Sequence, residues 1–135
     1  MIDVMVAGVL ALVILIGVYK VTNDLLDLRS QAYNHVIARA SLLSLESRWR
    51  GLTESDRLTL LQGEYICNSS ITPLDHWCDQ LATQFAGRQL QSRACLRELA
   101  AGQSQAIVVW GSLGESGALR SCWKEAEQSQ YRTWH

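Results

Sequence analysis

The chain has 135 residues, 12 basic and 13 acidic side chains and a formal net charge of −1. So even a balance offers no basic field for nucleic acid. About 85 residues follow the first helical stretch, enough for one small domain and not two.

The chain opens with MIDVMVAGVLALVILIGVYK, an apolar helix candidate with one acid, Asp3, near its start. No charge lies between Val4 and Tyr19, a stretch that rises ~24 Å against a hydrocarbon core of ~30 Å. Val4, Leu12 and Leu15 would face lipid or neighbouring helices. Gly8 and Gly17 each cost ~1 kcal/mol in a helix interior and permit close helix–helix approach. Residues 1–24 are thus expected to form a membrane or filament-core helix. A cleaved secretory signal fits poorly: no Lys or Arg precedes the apolar run, and no A-x-A site follows it. Asp3 has two readings, a solvated acid in the first helical turn or a buried carboxylate that needs a partner.

VTNDLLDLRSQAYNHVIARASLLSLESRWR continues without Pro or Gly. One helix from Val4 to about Arg48 follows, and residues 25–135 are expected to form a globular domain that includes its amphipathic half. A helix of about 50 residues would be ~75 Å long, more than a domain of this size covers. Leu25, Leu28, Ala32, Val36, Ala40 and Leu43 recur at three- and four-residue steps, widened by Leu26, Tyr33 and Ile37. This stripe is expected to seat the domain.

Gly51 is placed as the C-cap of the long helix. Thr53-Glu-Ser-Asp56 caps a short helix through Gln62, stopped by Gly63. Thr72-Pro73-Leu-Asp75 reads as an N-cap, a first-turn proline and a first-turn acid, opening a helix through Trp77, Leu81 and Phe85 to Gly87. Gln89–Leu99 and Gln105–Trp110 read as strands joined by the turn Ala-Ala-Gly-Gln, and Gln130–Trp134 as a third. GSLGESG reads as a flexible loop. The expected fold class is α+β: a long helical spine packed on a small antiparallel β-sheet with one or two short helices.

All four cysteines, Cys67, Cys78, Cys95 and Cys122, lie beyond the apolar segment. An even count there fits two disulfides in an oxidising compartment; four reduced thiols are the plainer alternative. The spacings contain no CxxC pair and match no common zinc module, so no metal site is expected. Three connectivities are open, and nearest-neighbour pairing gives Cys67–Cys78 and Cys95–Cys122. Chemistry has little footing elsewhere. His35, His76 and His135 are scattered, and Asp75-His76 reads as a helix-surface pair. No phosphate loop or HExxH motif occurs, and no catalytic residue or cofactor is expected. Asn68-Ser69-Ser70 matches the glycosylation sequon but reads better as a turn. The tryptophans read as core and interface anchors.

Met1-Ile2-Asp3-Val4-Met5-Val6-Ala7 resembles the start of a mature type IV pilin, whose family pattern is F-T-L-I-E-V-M-V-A. Leu74-Asp75-His76-Trp77, Leu81, the Gly87 break and Ile107-Val108-Val109-Trp110 are similar to V-type minor pilins and, more distantly, to I-type minor pseudopilins of type II secretion systems. The resemblance implies a non-enzymatic minor pilin that helps prime and assemble a type IV pilus, in a tip or initiation complex. It implies a single pass of the bacterial inner membrane with a periplasmic C-terminal domain, then incorporation into the extracellular pilus. The implied partners are other minor pilins, the major pilin, the inner-membrane assembly platform and, before assembly, the lipid bilayer. Asp3 falls at the family's glutamate, which pairs with a neighbouring subunit's N-terminal amine and sets assembly register. Met1 falls where the third mature residue would stand, so the expectation is a missing start that carries the leader, the cleavage glycine and the N-methylated residue. The proline often found in the pilin spine is also missing. A pseudopilin of a type II secretion system and, from another class, a membrane-anchored periplasmic ligand-binding domain are the alternatives.

Overall fold

The computed structural model describes residues 2–68, 71–100, 102–112, 122 and 129–135. Helix α1 spans Ile2–Gly51, α2 Glu54–Gln62 and α3 Thr72–Ala86; strand β1 spans Leu90–Ala100, β2 Gln103–Ser112 and β3 Ser129–Trp134. The architecture is α+β, with one three-stranded antiparallel sheet in the order β1-β2-β3. Two compact units divide the chain, Met1–Asn34 and His35–His135.

The first unit is helical throughout its described residues, and its apolar side chains are open. Its helix is long and apolar enough to cross a membrane. Asp3 lies in its first turn. A side chain added at Gly8 or Gly17 would meet nothing within the chain.

In the second unit, Ala38, Leu42, Leu45 and Trp49 of α1 form the buried row. They join Leu74, Trp77, Leu81 and Phe85 of α3 and Ala94, Leu96, Ala106, Val108, Trp110 and Trp134 of the sheet in one cluster. The three- and four-residue spacing of the α3 set gives one apolar stripe, as its sequence predicts. Buried Trp77 donates its indole N–H to the Ser41 carbonyl at 2.9 Å, so this large core side chain adds no unpaired donor. Phe85 stacks on Trp110 at 5.6 Å, and Trp134 meets Trp49 edge-on at 6.0 Å.

Within the second unit, the part of the stripe expected to seat the domain does not enter its core. Val36, Ala40 and Leu43 are exposed, and in the first unit so are Leu25, Leu28 and Ala32. Ile37, which flanks the stripe, packs partly against the core. At about 100° per residue, the row Ala38–Leu42–Leu45–Trp49 lies roughly 150° around the helix from Val36–Ala40–Leu43. This part of α1 is apolar on two sides. Periodicity detects both rows, and only packing selects one.

Two end assignments also change. Gly51 is the last helical residue and has no left-handed φ. The cap comes from α2: Arg57 donates from Nε to the Trp49 carbonyl at 3.1 Å and from Nη2 to the Arg50 carbonyl at 3.0 Å. Ile71, not Thr72, occupies the N-cap of α3, with Pro73 in the first turn. Gly87 caps the end of α3 as expected, in a right-handed conformation (φ −60°), and Gln89 between α3 and β1 is left-handed (φ 59°). Thr53 and Gly63 cap α2 as expected; the Thr53 hydroxyl oxygen accepts the Asp56 N–H at 3.2 Å.

The β1–β2 turn uses Gly102 at φ +80°, and a register shift lies between Glu98 and Ala100. Alternation sends Ala94, Leu96, Ala106 and Val108 into the main core. Cys95, Ile107 and Val109 point to the opposite face, where they form a second buried cluster with Cys122 and the partly buried Tyr65. Glu64 and Tyr65 lie along β1: Leu96 donates its N–H to the Glu64 carbonyl at 3.1 Å. Two disulfides, Cys67–Cys78 and Cys95–Cys122, close the nearest-neighbour pairs. The first joins the short 3-10 turn Ile66–Asn68 to α3; the second joins β1 to Cys122. Of the predicted loop, Gly111 and Ser112 belong to β2 and residues 113–117 lie outside the described residues. So do Ser69 and Ser70 of the sequon.

The two apolar faces of α1 give opposite mutational outcomes. Leu45→Ala should cost about 2–5 kcal/mol, because it opens a cavity in the core. Val36→Ser should change stability by no more than about 0.5 kcal/mol. Denaturant titration of the full chain in detergent, followed by tryptophan fluorescence, measures both, and equal losses would contradict the assigned faces.

The disulfides differ in access: Cys67 is exposed and Cys78 half-buried, whereas Cys95 and Cys122 are buried. A small thiol under native conditions should open Cys67–Cys78 first. Timed alkylation and peptide mass spectrometry would show this as early labelling of Cys67 and Cys78.

Candidate functional site

Two groups of residues merit a functional reading, and they lie in different units. In the first, Asp3, Val4, Gly8, Leu12, Leu15 and Gly17 all occupy the exposed N-terminal part of α1. Asp3 is the single acid there, followed by uncharged side chains as far as Tyr19. In a membrane or between packed helices, such a carboxylate is expensive unless a cation meets it.

In the second unit, Val36, Ala40 and Leu43 lie along one exposed side of α1, opposite the row that enters the core. Val36 is 63 % and Leu43 45 % exposed. They recur at steps of four and three, so they line up along the helix. A single exposed Leu needs no explanation, whereas an aligned apolar row does. Small Ala40 at its centre allows close approach by another helix.

What fixes that row in place is the attachment on the other side of α1. Arg48 donates to the Pro73 carbonyl at 3.2 Å at the start of α3. Glu46 receives Arg132 of β3 and, at 2.9 Å, Arg50 of its own helix. Arg132 thereby ties the last strand to the spine. His35 sets its ring edge-on against Trp110 at 4.9 Å and meets the Gln130 side chain at 3.3 Å. On the opposite face of the sheet, Arg97 donates to Gln105 at 2.7 and 2.9 Å, and Gln105 donates to Thr133 at 3.4 Å. Sequence reasoning missed the Glu46–Arg132 pair, because 86 residues separate its members and nothing in either segment indicates the other.

Among the described residues, the titratable groups outside these two sets are scattered. Asp75 and His76 are exposed on α3 as expected of a surface pair. His76, Asp79, Gln80, Thr83 and Gln84 line an open depression on one helix, and a single exposed helix face does not converge polar groups on a substrate. Among the described residues, no cluster of three or more His, Cys, Asp or Glu side chains could hold a metal ion. The cysteines expected to pair do so and carry no free thiol among the described residues. Comparison with protein-family models, curated proteins and solved structures finds no match.

The hydrogen bond from Arg132 holds the Glu46 carboxyl below the usual carboxylate range; the Arg132 and Arg50 charges add to the shift and partial burial opposes it. A depressed folded-state pKa makes the ionised form the stabilising one. That contribution is complete above the unfolded value of ~4.3 and is lost as pH falls through the lower, folded value. The melting temperature of wild type should therefore fall more steeply than that of Glu46→Gln as pH drops from 5 to 3. Parallel pH profiles would mean that the pair adds nothing.

Proposed function

We propose that this chain is a minor pilin: a structural subunit that inserts in the bacterial inner membrane and then joins a complex priming type IV pilus assembly. The observation that carries the reading is the exposed apolar row Val36–Ala40–Leu43, on the side of α1 opposite the domain core. A plain membrane anchor needs apolar side chains only within the bilayer. A subunit whose spine packs against other spines needs them further along the helix as well. The pilin-like start Met1–Ala7 and the uncharged run from Val4 to Tyr19 support the same reading. So do two disulfides, which suit an exported domain.

In this mechanism, the N-terminal part of α1 exchanges lipid contacts for contacts with neighbouring spines. Asp3 sets register by pairing with the N-terminal amine of an adjacent subunit, and Gly8 and Gly17 let helices approach. Val36, Ala40 and Leu43 extend the spine contact beyond the bilayer. The sheet and α3 meet other minor pilins or the major pilin, while the inner-membrane platform drives assembly.

Two sets of variants test this reading through recovery of the protein with sheared pili and pull-down with other minor pilins. Asp3→Ala should block incorporation, Asp3→Glu should be tolerated, and Asp3→Lys should be worse than Ala. Equal recovery of wild type and Asp3→Ala would return Asp3 to a solvated helix start. Val36→Asp and Ala40→Asp should lower recovery at least about tenfold, the equivalent of ~1.4 kcal/mol, without lowering the melting temperature. Full recovery of both would remove the outer row from the interface and with it the observation on which the proposal stands.

A further inference from the structure

We draw no further inference here: the strongest candidate, the outer edge of strand β3 beside the Arg132–Glu46 pair, carries nothing because nothing in the structure shows what covers it.

Discussion

The burial of Ala38, Leu42, Leu45 and Trp49 is the constraint on which the second unit depends. A three-stranded sheet of 11, 10 and 6 residues has too little apolar surface to stand alone. The row on α1 supplies the missing wall. Ala38, Leu42, Leu45 and Trp49 are all buried in the same cluster as α3 and the sheet. Burying a Leu side chain contributes about 1.5–3 kcal/mol, so losing this row would remove a large part of a marginal domain's stability.

Several segments of the unit are fastened to that helix. Trp77 anchors α3 to the spine through the Ser41 carbonyl, and Arg48 fixes the start of α3 through Pro73. Arg132 ties β3 to Glu46, while Trp134 sets its ring against Trp49. These contacts reach α1 from separate segments and hold one rotational setting of the helix. Because that setting turns Ala38–Leu42–Leu45–Trp49 inward, it also turns Val36–Ala40–Leu43 outward. Folding and the candidate interface thus follow from one choice of face.

The disulfides tie two further segments to the fold. Cys67–Cys78 holds the turn after α2 against α3. Cys95–Cys122 brings Cys122 onto the face of the sheet turned away from the main core, beside Ile107, Val109 and Tyr65. Both faces of β2 are buried as a result, which is why its central stretch reads as a continuous apolar run rather than an alternation.

Local chemistry determined much of this protein in advance. A run without proline, and without glycine from Val18 to Arg50, specifies α1; Thr53 and Gly63 bound α2, and β-branched residues mark β2. The positions of Trp77, Leu81 and Phe85 identify the buried side of α3. Each of these signals acts over a few residues, so it is legible in the sequence. The tertiary structure alone decided which face of α1 seats the domain, because two apolar rows satisfy the same helical period. It alone replaced Gly51 by Arg57 as the cap of α1, and set Gln89 in a left-handed conformation before β1. It alone joined Glu46 to Arg132. Those outcomes depend on contacts between segments far apart in the chain, where no local preference of either segment specifies the other.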